Sequence, residues 1–260
     1  MTRLDDLFAQ CRKEYRAALI GYLPVGFPTY DVSVAAMVAM VEGGVDAVEV
    51  GVPYTDPGMD GPLIQVAVDA ALKNGTRVSQ VFDAVAEVSK HAPTVVMGYW
   101  NPIEKMTPAV FAQRLKAAGG SGAITPDLIP EEAQPWLDAA QASDLDPIFL
   151  VAPSSTDERI KVVGATNRGF VYAASTMGVT GTRATVGNRA EELVTRTRAH
   201  TDLPVCVGLG VSTGDQAAEV AAYADGVIVG SAFVRALQDE GVDAVRRLAQ
   251  DLASGVRRRA

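Results

Sequence analysis

The segment Pro204-Val-Cys-Val-Gly208, the helix-length run Gly214–Tyr223 and then Gly226-Val-Ile-Val-Gly230 decide the fold. Two short, wholly apolar, β-branched runs flank an amphipathic helical stretch. Strands that read apolar at every position are buried on both faces, as in a parallel sheet, and parallel neighbours need a crossover that a helix supplies. The same alternation runs through the rest of the chain. Strands are predicted at Ala17–Leu23, Ala47–Gly51, Thr94–Tyr99, Gly122–Pro126, Pro147–Val151 and Gly169–Ala173, besides the two above. Helices are predicted at Val32–Glu42, Pro62–Asn74, Val78–His91, Pro108–Ala118, Glu131–Gln141, Thr156–Ala165, Arg189–His200, Gly214–Tyr223 and Val242–Ser254, with a short segment at Ser231–Gln238. An amphipathic helix carrying Leu4, Leu7, Phe8 and Cys11 precedes them. Eight strand–helix units predict an α/β fold, a (β/α)8 barrel with an extra N-terminal helix. An open doubly wound sheet is the alternative.

Helix punctuation agrees with that count. Gly43-Gly44, Gly75, Gly119-Gly120, Gly164 and Gly241 stand where helices should end, and Pro62, Pro108 and Pro130 where they should begin. No Pro/Gly/Ser linker or composition break divides the 260 residues, so one domain over 1–260 is expected, within the usual range of α/β barrels.

Composition narrows the function classes. With 48% hydrophobic and 21% charged residues the chain reads as an ordinary globular protein. A net charge of −8 disfavours nucleic acid or an anionic membrane as the main partner. The longest stretches free of Asp, Glu, Lys and Arg, 17–30 and 169–182, are 14 residues each, short of a membrane helix. The charged N-terminal run predicts no secretory signal, and two distant cysteines, Cys11 and Cys206, fit a reducing cytoplasm.

Barrel chemistry gathers at the carboxyl ends of strands. Neither histidine is placed there, since His91 and His200 end helices that lead into strands. No metal site is expected from them. No lysine lies within a strand, and Lys105, in the long loop after the third strand, is the only one near that face. A Schiff-base mechanism is therefore disfavoured. Carboxylates remain. Glu49 sits inside Ala47–Gly51, where a carboxyl is either satisfied in the wall or buried with a raised pKa suited to acid/base work. The following loop offers Asp56 and Asp60, and turn chemistry alone accounts for both. Glycine-bearing loops at Met177–Gly181, Gly208–Ser212 and Gly230–Ala232 end the last three strand units. Together they suit a phosphate, with a helix starting near Ser231, although such glycines also serve tight turns. Tyr22, Tyr99, Leu150, Tyr172 and Leu209 at the same end line an apolar cavity or simply fill the core.

Val48–Gln65 (VEVGVPYTDPGMDGPLIQ) closely resembles the signature segment of the tryptophan synthase α subunit family. The resemblance extends to ALIGYLPVGFP near the N-terminus, PDLIPEE at 126–132, GVTG at 178–181, GLGVS at 208–212 and GSAFV at 230–234. It implies retro-aldol cleavage of indole-3-glycerol phosphate to indole and glyceraldehyde 3-phosphate. Glu49 then matches the general acid/base, and Asp60 the carboxylate that stabilises positive charge on the indole nitrogen. Gly181, Gly210, Gly230 and Ser231 match phosphate-binding positions, and Tyr22, Tyr99, Leu150 and Leu209 the indole pocket. Tyr172 matches a tyrosine near the active centre, and Thr180 a residue of the loop that closes onto Asp60. The resemblance further implies no cofactor in this chain, and a pyridoxal-phosphate β subunit as partner in an α2β2 complex. Gly58-Met59 and Thr176-Met177 depart from the family's usual pattern, and Gly58 predicts a more flexible Asp60 loop. A stand-alone indole-glycerol-phosphate lyase and a non-catalytic phosphate-ligand-binding subunit are the alternatives.

Overall fold

The computed structural model describes residues 2–175 and 183–258, with side chains from 189 onward in the second stretch. Nine parallel strand segments form one sheet: β1 (Ala18–Pro24), β2 (Ala47–Gly51), β3 (Thr94–Met97), β4 (Gly122–Ile124), β5 (Asp146–Ile148), β6 (Leu150–Val151), β7 (Val171–Ala174), β8 (Val205–Gly208) and β9 (Gly226–Val229). Their order, β5-β4-β3-β2-β1-β9-β8-β7-β6, starts and ends on segments joined by the single residue Phe149. The sheet thus curls back onto its own fifth strand, and the open doubly wound alternative is excluded.

That break corrects the continuous strand expected at Pro147–Val151, and its cause is visible. At Phe149 the ladder is taken over by a side chain. Asn167 Oδ1 accepts from the Phe149 N–H at 2.9 Å, and its Nδ2 donates to the carbonyls of Phe149 (3.2 Å) and Phe170 (3.0 Å). A side-chain amide therefore supplies both donor and acceptor where strand pairing is interrupted.

Strand alternation sorts the core into two shells. Outward residues such as Leu19, Val48, Val50, Val96, Val207 and Val229 pack under the helices. Inward residues Ala18, Ile20, Ala47, Val95, Ile124, Ile148, Cys206 and Ile228 fill the barrel. The N-terminal helix Arg3–Lys13 closes the floor of that inner shell. Its Leu4, Phe8 and Cys11 join the inner cluster, and Phe8 meets Phe170 edge-on at 5.9 Å. Beside this floor Arg16 makes a bidentate pair with Asp46 (2.8 and 2.9 Å), and Asp46 also accepts from the Leu19 N–H.

Three local expectations change. A helix at Trp100–Met106 replaces the predicted loop, so Lys105 lies in an exposed helical turn. The helix expected from Arg189 begins at Arg183. Gly164 lies within the helix Asp157–Thr166 rather than ending it, and a Cβ there would stand 2.9 Å from that of Thr201, so it is a packing glycine. Among the described residues no helix is long and apolar enough to cross a membrane.

Replacing Asn167 by Ala should destabilise the fold by about 1–3 kcal/mol, because the buried Phe149 N–H and Phe170 carbonyl lose the Asn167 side chain, while the Phe149 carbonyl keeps the Tyr172 N–H. Urea unfolding monitored by circular dichroism measures it.

Candidate active site

Parallel register brings Tyr22 on β1 opposite Glu49 on β2, both facing inward above the apolar filling. Two residues on, along the same face, comes Gly51. A Cβ there would lie 2.5 Å from the Tyr22 hydroxyl. On the far side Tyr172 of β7 has the same arrangement with Gly208 of β8, whose Cβ would fall 2.7 Å from the Tyr172 hydroxyl. Each tyrosine ring occupies space that a glycine on the neighbouring strand leaves free. Sequence reading passed over Gly51, since a strand-ending glycine looks like an ordinary turn signal.

Between these rings a cavity of about 160 Å3 opens at the carboxyl end of the barrel. Glu49, Asp60, Tyr22, Tyr172 and Leu209 line it, as do Gly210, Gly230 and Ser231. Met59, Ile64 and Met97 complete much of its apolar wall. Leu150 and Tyr99 are outside the lining. Leu150 pairs with Tyr172 and packs into the inner cluster, while the Tyr99 hydroxyl accepts a hydrogen bond from the Met59 N–H at 2.9 Å. Thr180 and Gly181 lie outside the described residues, as do Thr176 and Met177.

The two acids sit in different surroundings. Glu49 is 1% exposed, and its Oε1 has no hydrogen-bond partner among the described residues. Burial pushes its pKa up to about 8, so it holds a proton at neutral pH. Asp60 is only half-buried. Its pKa is raised to about 6 by burial, against which a hydrogen bond from the Tyr99 hydroxyl pulls down. One acid is therefore poised to give up a proton and the other to remain charged near neutrality.

The glycine loops form the wall beside Tyr22 and Gly61, where a Cβ on Gly230 would stand 3.2 Å from the Tyr22 ring and one on Gly61 4.0 Å from Ser231 Oγ. Gly210 takes φ +46°, a conformation that favours glycine, on the exposed rim. Gly230 is the N-cap of the helix Ser231–Glu240, and because Gly230 and Ser231 both line the cavity the helix begins at its wall, where its first amides have no intrahelical acceptor. These are the elements of an anion cradle. Asp56 is exposed, and its carboxylate accepts from the Thr55 hydroxyl at 2.6 Å.

Other charged features of the barrel are structural. Asp146 is fully buried at the start of β5, next to Arg168 (3.3 Å). A larger cavity, about 290 Å3, lies at the amino end of the barrel beside Cys11, Arg16, Arg198 and Asp225. There Arg16 pairs with Asp46 and Arg198 with Asp225 (2.9 Å). His91 and His200 are both exposed.

A model of the tryptophan synthase alpha chain family matches residues 8–258. The chain belongs to that family. It is 59% identical over 259 residues to the tryptophan synthase alpha chain of Mycobacterium ulcerans, covering 99% of this chain and 96% of that one. Among solved structures, tryptophan synthase from M. tuberculosis in its aminoacrylate-bound form superposes with a TM-score of 0.92 at 54% identity, covering 98% of this chain and 100% of that one. The alpha subunit from Legionella pneumophila strain Paris matches at 30% identity with a TM-score of 0.89 over 98% of each chain. Within the alpha chain family frame, the lined cavity lies where an α/β barrel carries its chemistry.

The raised Glu49 pKa has a consequence for stability. An unfolded glutamate ionises near pH 4.5 and the folded one near 8. Across that window the folded chain holds a proton that the unfolded chain has lost, so stability falls as pH rises. Glu49→Gln should remove this slope, and its stability relative to wild type should grow by about 2–4 kcal/mol between pH 5 and 9. Denaturant melts across pH measure the difference.

Proposed function

We propose that Glu49 is the proton-transfer group and Asp60 the charge-stabilising carboxylate in cleavage of indole-3-glycerol phosphate, the alpha-subunit half-reaction of tryptophan synthase. The observation that carries this assignment is a single cavity lined by Glu49, buried and with no partner at Oε1 among the described residues, by the half-buried Asp60, and by Gly210, Gly230 and Ser231. Protonated Glu49 delivers its proton to indole C3, which moves positive charge onto the ring nitrogen. Ionised Asp60 faces the N–H there and stabilises the developing cation. Glu49, now a carboxylate, takes the proton of the C3′ hydroxyl as the C3–C3′ bond breaks. The bonding pair returns to the ring, which regains aromaticity as indole, and the released aldehyde is glyceraldehyde 3-phosphate. Glu49 ends as it began, protonated.

The phosphate is assigned to the amides of Gly210, Gly230 and Ser231, at the start of the helix Ser231–Glu240, with Gly181 from the loop outside the described residues. Tyr22, Tyr172 and Leu209 supply the apolar walls for the indole. Leu150 flanks Tyr172 on the adjacent strand, and Thr180, outside the described residues, keeps the substrate-binding role that the family resemblance gives it. We read residues 1–260 as one barrel domain, with its floor closed by the N-terminal helix. The alpha chain itself carries no cofactor. Its partner is a β subunit in an α2β2 complex, where the released indole is condensed with serine by pyridoxal phosphate of that subunit. A cytoplasmic location completes this reading, and both cysteines are buried free thiols.

Indole release from indole-3-glycerol phosphate, with and without the β subunit, tests the assignment. Slow release that rises steeply on adding the β subunit is expected, and no release in either case would overturn it. In kcat/KM the acid limb should fall near pH 6, as Asp60 ionises, and the alkaline limb near pH 8, as Glu49 loses its proton. Glu49→Gln should reduce turnover by at least about 1,000-fold, at the stronger end of what an acid/base group contributes, while phosphate-ligand binding by calorimetry stays intact. Turnover within a few fold of wild type would sink the acid/base assignment.

Gly210→Leu is expected to raise KM about 10-fold or more with a smaller effect on kcat, because a side chain at φ +46° displaces the amides of the cradle. Steady-state kinetics separates the two constants. An unchanged KM would remove Gly210 from the anion site.

A further inference from the structure

Asp60 lies on the irregular segment between β2 and the helix Pro62–Lys73. Its local supports are a backbone turn, with the Asp60 N–H donating to the Pro57 carbonyl at 3.0 Å, and Gln65 Nε2, which donates to the Asp60 carbonyl at 2.9 Å. Both come from the same stretch of chain. At the turn, a Cβ on Gly58 would meet nothing within 4 Å, and Met59 is 54% exposed, so packing does little to fix the tip. The Tyr99 hydroxyl, by contrast, reaches the loop from beyond the end of β3 and accepts the Met59 N–H at 2.9 Å.

Tyr99 is itself held in place. It is 4% exposed and is the N-cap residue of the helix Trp100–Met106. Its ring stacks on that of Tyr54, with centroids 5.2 Å apart and planes inclined by 26°. The Tyr54 hydroxyl in turn accepts from Asn101 Nδ2 at 3.1 Å. Trp100, between Tyr99 and Asn101, donates its N–H to Asp127 Oδ1 at 2.8 Å. Thus the stacked pair ties the start of the Asp60 loop, at Tyr54, and its tip, at Met59, to one short helix.

We propose that Tyr99, backed by Tyr54 and Asn101, is a positioning residue that fixes the Asp60 carboxylate for catalysis rather than a wall of the indole pocket. The proposal rests on the role assigned to Asp60 above. A phenol that accepts from Met59 still has its own proton to donate, and Asp60 is the acceptor beside it. The brace therefore acts on both the place and the charge of that carboxylate. It also supplies order that the sequence around Gly58 does not.

Tyr99→Phe and Tyr54→Phe keep both rings and remove one hydroxyl each. The test compares them with Asp60→Asn in the full α2β2 complex, by indole release across pH. Tyr99→Phe should lower kcat about 10-fold, the worth of one hydrogen bond of about 1.4 kcal/mol, with KM within about two-fold. Its acid limb should move to higher pH, since loss of the donor removes what holds the Asp60 pKa down. Tyr54→Phe should act in the same direction and more weakly, about three-fold in kcat, as one neutral hydrogen bond further away. Combining Tyr99→Phe with Asp60→Asn should be no worse than Asp60→Asn alone. A raised KM with unchanged kcat in Tyr99→Phe would make it a substrate wall and overturn the proposal. An unmoved acid limb with normal turnover would overturn it as well. If Asp60→Asn itself retained wild-type turnover, the Asp60 assignment would be what failed, and the brace would fall with it. Thermal melts of each variant check that the fold is kept, and the pH limb of Tyr54→Phe remains a readout if Tyr99→Phe unfolds.

Discussion

A carboxyl group facing the interior of a closed barrel is an expensive thing to fold, and the molecule is arranged around that constraint. Glu49 has apolar residues beneath it, no hydrogen-bond partner at Oε1 among the described residues and almost no solvent. Burying it as a carboxylate would cost several kcal/mol, so it holds its proton instead. A side chain that holds its proton at neutral pH, which the proposed acid role requires, follows from that placement. Burial raises its pKa, with no cation among the described residues involved. The contrast is Asp46 at the other end of the barrel, where Arg16 and a backbone N–H satisfy the carboxylate and make it part of the scaffold. On the proposed role, similar side chains serve chemistry at one end and architecture at the other because their partners differ.

Room for a substrate above Glu49 depends on absent side chains as much as on present ones. Gly51 and Gly208 each leave space for a tyrosine from the adjacent strand, and the tyrosines in turn wall the cavity. An alanine at either position would place a carbon within about 3 Å of a phenol oxygen, closer than van der Waals contact permits. The cavity's shape is therefore set by register. Tyr22 opposite Glu49, two residues before Gly51, and Tyr172 opposite Cys206, two residues before Gly208 on the same face, set each large side chain beside an empty position on the neighbouring strand.

Much of this was legible in the chain. Runs such as Val205–Gly208 and Gly226–Val229 are too apolar for one-sided strands, and their spacing by helices leaves a parallel barrel as the natural closure. Glu49 stood out because a charged residue in such a strand demands an explanation. Other features were hidden for physical reasons. The break at Phe149 arises from a side-chain amide 18 residues later, and no local pattern announces it. The helix Trp100–Met106 carries Pro102 in its first turn and is only seven residues long, so it reads as a loop. Gly164 looked like a helix end because a packing glycine and a capping glycine are the same letter. Tyr54 and Asn101 carry no catalytic chemistry of their own. Their importance lies in a stacking contact and a hydrogen bond across 47 residues, which spacing cannot show.

The two acids illustrate why their supports differ. Glu49 is carried by a β-strand in the middle of the sheet, where ladder hydrogen bonds on both sides fix its backbone. A proton donor that must later recover a proton from a neighbouring atom benefits from that rigidity. On the proposed role Asp60 meets a ring nitrogen at the far edge of a bound substrate, and it does so from a loop, which can close where a strand cannot. Mobility of that kind conflicts with electrostatic catalysis, which works through charges already in place before the cation forms. The stacked tyrosines reconcile the two demands. They tie the start of the Asp60 segment at Tyr54 and its tip at Met59 to one short helix while the turn at Gly58 carries no packing, so hydrogen bonds rather than a packed turn set the direction of the carboxylate.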